Sequence, residues 1–347
     1  MKFFVNKFVK NREVTVVLFL LILFSLVGLK NPAFISPSNL MLTLKGSVMY
    51  IALAIGMAFV ILTKEIDVSV GSILGMSAAV AATMLRNGRG LFSIIIVTLM
   101  VGIVSGLVNG IGVTKFKIPS IVMTLGTNGI LRGLMFIYTG GKWVENLPDY
   151  FKQASQKNIF GSMNAFVFFT FIVMIVIHLY LTKARRGKYF AAVGDNLEGA
   201  NLVGIKVNFM KILAFVLSGA FASIAGMVYV SQVGFVGNVA GNGAEMTAIA
   251  SCVLGGVSLN GGLGSVLGAT FGAIIMNSIN TALVFLKVPA YWNNTISGLL
   301  LILIVSSDAL ISRYLVTSAI KQRLSVKTES NGDSRKEEIG GEINEQI

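Results

Sequence analysis

The residues from Arg185 to Ile205, RRGKYFAAVGDNLEGANLVGI, separate two strongly apolar stretches. Asp195 stands three positions ahead of Glu198, the spacing of a helix capping box with Asp in the place of Ser or Thr. Gly204 supplies a left-handed stop, and Ile205 the apolar contact that commonly accompanies it. About two helical turns lie between these signals, roughly 12 Å at 1.5 Å per residue. Leu197, Ala200 and Val203 give the short helix a small apolar face, and Gly199 and Ala200 leave room for close approach. A plain linker requires neither a start nor a stop signal. The chemistry expected of this stretch is therefore docking of a partner rather than bond making.

A second set of polar residues lies inside apolar stretches: Asn109, Asn128, Asn277 and Asn280, with Arg132 toward the end of its stretch. Neutral amides suit a path for an uncharged, hydroxyl-rich solute. Each one equally suits a hydrogen bond to a neighbouring helix. Asp and Glu are missing from the middles of the apolar stretches, because Glu65, Asp67, Glu245 and Asp308 fall near or beyond their ends. Proton- and sodium-coupled carriers usually keep a carboxylate within the membrane, so an external energy source is expected. An ion-driven carrier or a passive channel is the alternative from a different class.

Catalytic constellations are lacking. There is no glycine-rich loop ending in Lys-Ser/Thr to cradle phosphates, and the only histidine is His178. The single cysteine, Cys252, lies in an apolar segment, where a buried inert thiol is expected. No spacing suits a metal. The chain is thus expected to be no enzyme and to need no cofactor.

The elements that must position these residues are legible from hydropathy. Of 347 residues, 54% are hydrophobic and 12% charged, against about 25% charged in soluble domains. Mean hydropathy is +0.80. A membrane helix needs about 20 apolar residues, and such runs recur near 14–29, 46–62, 68–85, 91–113, 118–138, 164–182, 212–234, 246–262, 264–285 and 291–311. The expected fold is an all-α polytopic membrane protein of about ten transmembrane helices. The eighth run is short and interrupted by Gly255, Gly256, Gly261 and Gly262, the pattern of a broken or re-entrant helix. The first follows Lys2, Lys7, Lys10 and Arg12 without a convincing cleavage site, so it reads as an uncleaved helix rather than a signal peptide.

Charge orients the spans. The net charge of +13 accompanies no nucleic-acid-binding motif; basic residues between spans mark the cytoplasmic side. Ten crossings from a basic cytoplasmic N-terminus place 183–211, Lys115, Lys117 and the C-terminus inside. Arg86 and Arg89 fall outside, against the trend. Residues 1–313 read as the transmembrane domain. Residues 314–347 are too polar to offset the entropy of ordering and read as a disordered cytoplasmic tail. Gly102, Gly106 and Gly110 are matched by Gly264, Gly268 and Gly272, and KIP (117–119) by KVP (287–289). That fits an inverted repeat of five helices; the glycine spacing also fits generic close packing.

The stretch GKYFAAVGDNLEGANLVGI (187–205) resembles the cytoplasmic coupling segment of permeases of the ribose-type ABC sugar importers. IDVSVGSILGMSAA (66–79), KIPSIVMTLGTNGILRG (117–133) and GAEMTAIASCVLGGVSLNGGLGSVLGA (243–269) are similar to the same family. The resemblance spans about residues 12–312. YTGGKWVENLP (138–148) and SQVGF (231–235) narrow it to one branch. It implies a bacterial inner-membrane, multi-pass subunit that translocates a solute with ATP hydrolysed elsewhere. The implied partners are ABC ATP-binding subunits, a second permease that is identical or related, a periplasmic or lipid-anchored solute-binding protein, and membrane lipid, with no nucleic acid. By the same resemblance the ATPase contact falls on Gly194, Asp195, Asn196, Glu198, Gly199, Ala200 and Gly204.

Overall fold

The computed structural model describes residues 12–289 except Ser162, and a few positions between 292 and 306. Twelve α-helices run through the described residues. Six are long and apolar enough to cross a membrane: α2 (Pro37–Leu62), α4 (Leu91–Thr114), α5 (Ser120–Thr139), α7 (Ala165–Lys183), α10 (Val207–Val233) and α12 (Val266–Phe285). Three further apolar helices, α1 (Arg12–Lys30), α3 (Val70–Arg86) and α11 (Ala244–Leu254), coincide with expected spans. The remaining three, α6 (Asp149–Ala154), α8 (Arg185–Asp195) and α9 (Leu197–Leu202), lie in the connections. A two-stranded antiparallel ribbon, β1 (Asn158–Phe160) with β2 (Met163–Asn164), precedes α7. The expected tenth span and the tail lie outside the described residues.

Helices dominate because a bilayer core offers no partner for a free backbone amide. The 26 residues of α2 extend about 39 Å, enough to cross a core about 30 Å thick. Of its apolar window 72% is buried, against 11% for α7. Helix α2 is therefore central, and α7 turns most of its surface outward. Helix α10 packs against α2, α3 and α4, while α12 packs against α2 and α11.

Both glycine stripes make close helix contacts. A Cβ built at Gly102 would lie 2.0 Å from the Gly219 carbonyl oxygen of α10, and one at Gly106 2.2 Å from that of Phe215. Cβ atoms at Gly268 and Gly272 would lie 2.0 Å from the carbonyl oxygens of Gly255 and Ser251. Contact at backbone distance replaces the apolar driving force that lipid removes. The KIP and KVP loops also share a conformation: Lys117 and Lys287 have φ of 55° and 57°. The expected eighth span is broken, with α11 ending at Leu254 before a glycine loop.

Candidate functional site

The coupling stretch folds as two helices. Helix α8 runs through Asp195, and the Asn196 amide donates to the Ala192 carbonyl at 3.1 Å. Asn196 then caps α9: its side-chain oxygen accepts from the Gly199 amide at 2.8 Å. This corrects the expected cap. Asp and Asn are comparable N-cap residues, but Asp195 is held in the last turn of α8, which leaves Asn196 free to adopt extended backbone at φ −149°. Glu198 remains in the first turn of α9. The stop falls where expected. Gly204 has φ of 79°, its amide donates to Asn201 at 3.0 Å, and the Ile205 amide donates to Ala200 at 3.0 Å. These are the two closing bonds of a Schellman motif.

The coupling residues divide between two faces. Gly194 and Ala200 are buried, and Gly199 is half-buried. Asp195, Asn196, Glu198 and Gly204 are exposed. The apolar face shifts accordingly: Ala200 turns inward, while Leu202 and Val203 stand 88% and 75% exposed. The exposure of Leu202 was invisible in the sequence, since its helical spacing alone reads as core. Beside α9 lies a cavity of about 440 Å³, whose lining includes Thr114, Lys117, Asn201 and Lys206. The end of α4, the turn into α5 and the start of α10 therefore share the face that carries the docking turn.

The inward face is tightly seated. A Cβ on Gly194 would lie 1.9 Å from the Leu62 carbonyl oxygen at the end of α2 and 2.7 Å from the Gly262 amide nitrogen. That amide donates to the same Leu62 oxygen at 3.1 Å. The coupling helix α8, the end of α2 and the glycine loop after α11 thus converge on one carbonyl group.

From Leu62 the chain passes through a non-helical link to α3, and this link corrects the expected absence of buried acids. Asp67 is fully buried. Its Oδ1 accepts from the Ser69 amide at 3.0 Å and the Ser69 hydroxyl at 2.6 Å, and its Oδ2 accepts from the Ser218 hydroxyl of α10 at 2.9 Å. Hydropathy placed Asp67 at a span end; the structure tucks it between α4, α5 and α10. An Asp two residues before a Ser is an Asx-turn signal, which marked the turn but not its depth. Glu65 pairs with Lys211 of α10 at 2.5 Å. Glu245 is also buried, and its Oε1 accepts from the Gly243 amide at 3.3 Å.

Of the five expected path residues, three are engaged between helices. Asn109 is fully buried; its Nδ2 donates to Ser69 at 2.9 Å, and its Oδ1 accepts from the Thr127 hydroxyl at 2.6 Å. Asn277 donates to the Thr43 carbonyl at 2.8 Å and the Ser47 hydroxyl at 3.1 Å. Asn280 lies beside the Tyr50 hydroxyl. Asn128 and Arg132, one turn apart on α5, differ. The Arg132 Nη1 donates to the Ala240 carbonyl at 3.4 Å, but its Nη2 and the Asn128 Oδ1 are buried without a partner among the described residues. Among those residues no group of three or more His, Cys, Asp or Glu could hold a metal.

The stretches 138–148 and 231–235 meet in space. Val144 and Val236 exchange backbone hydrogen bonds at 2.9 and 3.0 Å, and the rings of Trp143 and Phe235 stack with centroids 5.4 Å apart.

The described residues form a bundle of apolar helices, six of them long enough to cross a membrane, with an exposed, self-capped turn on one face. Residues 39–305 match the family described as "Branched-chain amino acid transport system / permease component", and the chain belongs to that family. It is 41% identical over 338 residues to "Autoinducer 2 import system permease protein LsrC" of Escherichia coli O9:H4 (strain HS), covering 95% of this chain and 98% of the relative. It is 43% identical over 303 residues to the protein of the same name from Salmonella typhi, covering 87% of each. No solved structure matches the chain.

Proposed function

We propose that the chain is one of two membrane-spanning subunits of a bacterial ABC importer for autoinducer-2, a quorum-sensing signal, in the cytoplasmic membrane. ATP-binding subunits dock against α9, a second permease completes the path, and a periplasmic or lipid-anchored binding protein delivers the solute. The observation that carries this reading is likeness to autoinducer-2 import permeases over 95% of the chain. The exposed Leu202 and Val203, beside the free carboxylate-bearing turn at Glu198, supply a surface for the ATPase. Both chain termini belong on that cytoplasmic face, with the basic residues around the docking turn.

Asn128 and Arg132 are the path residues this reading favours, because buried polar groups without partners call for a ligand or solvent. Their donors and acceptors suit an uncharged, hydroxyl-bearing solute. Selection then rests chiefly with the binding protein, since two side chains supply few of the hydrogen bonds that a tight site requires.

The test is reconstitution of the chain with its ATPases, second permease and binding protein in vesicles. Autoinducer-2 and ribose are offered in parallel, with ATP and an ionophore varied independently. Autoinducer-2 uptake that requires ATP and ignores the ionophore is expected. Uptake that survives without ATP and collapses with the ionophore would overturn the importer; ATP-driven uptake of ribose alone would overturn the substrate.

A further inference from the structure

We infer that Asp67 is a positioning residue that transmits movement of the docking turn to the transmembrane helices. The inference rests on the importer reading and names the internal route by which it would be driven. Its first link is the Leu62 carbonyl, against which Gly194 is seated with no room for even a methyl group. Displacement of α8 must displace the end of α2. Its second link is the eight-residue stretch from Leu62 to Ser69, which leaves α2 through a left-handed residue, Lys64, at φ 65°.

Asp67 ties that stretch to the bundle. It holds Ser218 of α10 directly and Asn109 of α4 through the Ser69 hydroxyl, and Asn109 in turn holds Thr127 of α5. One transmembrane helix is therefore bonded to the buried carboxylate directly, and two more through Ser69 and Asn109. Among the described residues Asp67 forms no ion pair. Burial without a cation raises the Asp67 carboxyl above its ordinary range, so the joint rests on the hydrogen bonds its two oxygens accept from Ser69 and Ser218. A neutral amide of the same shape puts a donor where Oδ2 accepts, and so reverses or loses the bond to Ser218. A route from docking turn to helices needs a stiff joint there.

The experiment measures solute imported per ATP hydrolysed by the complete complex in vesicles, for wild type, Asp67→Asn and Ser218→Ala. Membrane abundance is recorded for each. The solute is whichever one the wild-type complex transports, so a wrong substrate assignment leaves this test intact. A loose joint is expected to lower uptake per ATP about tenfold, within the usual range of coupling between sites. Hydrolysis by the partner subunits continues, and abundance is unchanged. Uptake per ATP equal to wild type in both variants overturns the inference. So does a loss of uptake that only parallels a loss of abundance, because it makes Asp67 a folding residue.

Discussion

Gly194 shows how much one hydrogen atom can decide. The nearest atoms to a Cβ at this position are backbone: the Leu62 oxygen at 1.9 Å and the Gly262 nitrogen at 2.7 Å. Backbone at the end of a buried helix yields little, so Gly194→Ala is expected to destabilise the purified protein by the overpacking cost of about 1–3 kcal/mol. Gly199→Ala is the comparison, since its closest neighbours are Asn196 side-chain atoms at 3.1 Å and beyond, which need give by only a few tenths of an ångström while still capping α9. Thermal unfolding in detergent should separate the two variants. Equal midpoints would show that the α8 seat is looser than its geometry. The sequence singled out Gly199 for close approach, and the family resemblance placed Gly194 at the ATPase contact, yet neither showed that Gly194 is the one wedged against backbone. That difference depends on where α2 ends.

The docking turn is the element whose signals were most nearly complete in the chain itself. Its stop came through intact at Gly204, because a left-handed residue closing a helix is a local requirement. Its start shifted by one residue, because Asp195 and Asn196 compete and α8 takes the first. Two changes on this element test its role. Glu198→Lys opposes the dipole of α9, an effect of about 0.3–1 kcal/mol at an exposed site, too small to unfold the bundle. Leu202→Glu places a charge where 88% of the side chain already meets solvent. Both variants should insert at normal abundance, lose solute uptake and lose co-purification of the ATP-binding subunits. Normal uptake by either would remove α9 from the docking surface.

Across the whole molecule, α2 and α10 form the packed centre, with α3, α4, α11 and α12 laid against them. The family match ends at residue 305, and KTESNGDSRKEEIGGEINEQI (327–347) holds almost no bulky apolar side chains. We propose that this segment contributes nothing to transport, because its composition offers almost no apolar surface to bury against a partner. Ending the chain after Lys327 should leave abundance and uptake near wild type. A truncated protein that inserts normally but imports nothing would assign the tail a function.

The sequence by itself determined the class of fold and the presence of a short, capped helix between two spans. The membrane is a uniform apolar solvent, so span positions follow from composition alone, and helix caps follow from local backbone chemistry. Nine of the expected spans overlap helices, although α2 begins nine residues ahead of its expected start and α11 ends eight residues before its expected end. Only tertiary structure decided the polar interior. Asn109, Asn128, Asn277 and Asn280 are alike in sequence: amides in apolar runs. Asn109 meets Ser69 and Thr127, Asn277 meets Thr43 and Ser47, and Asn280 meets Tyr50, whereas the Asn128 Oδ1 has no partner among the described residues. Asp67 looked like a span-end charge bound for water and proved to be fully buried. A side chain's hydropathy fixes how costly burial is, but the hydrogen bonds that offset it come from Ser218 and Ser69 on packed neighbours, and no local pattern records who those neighbours are.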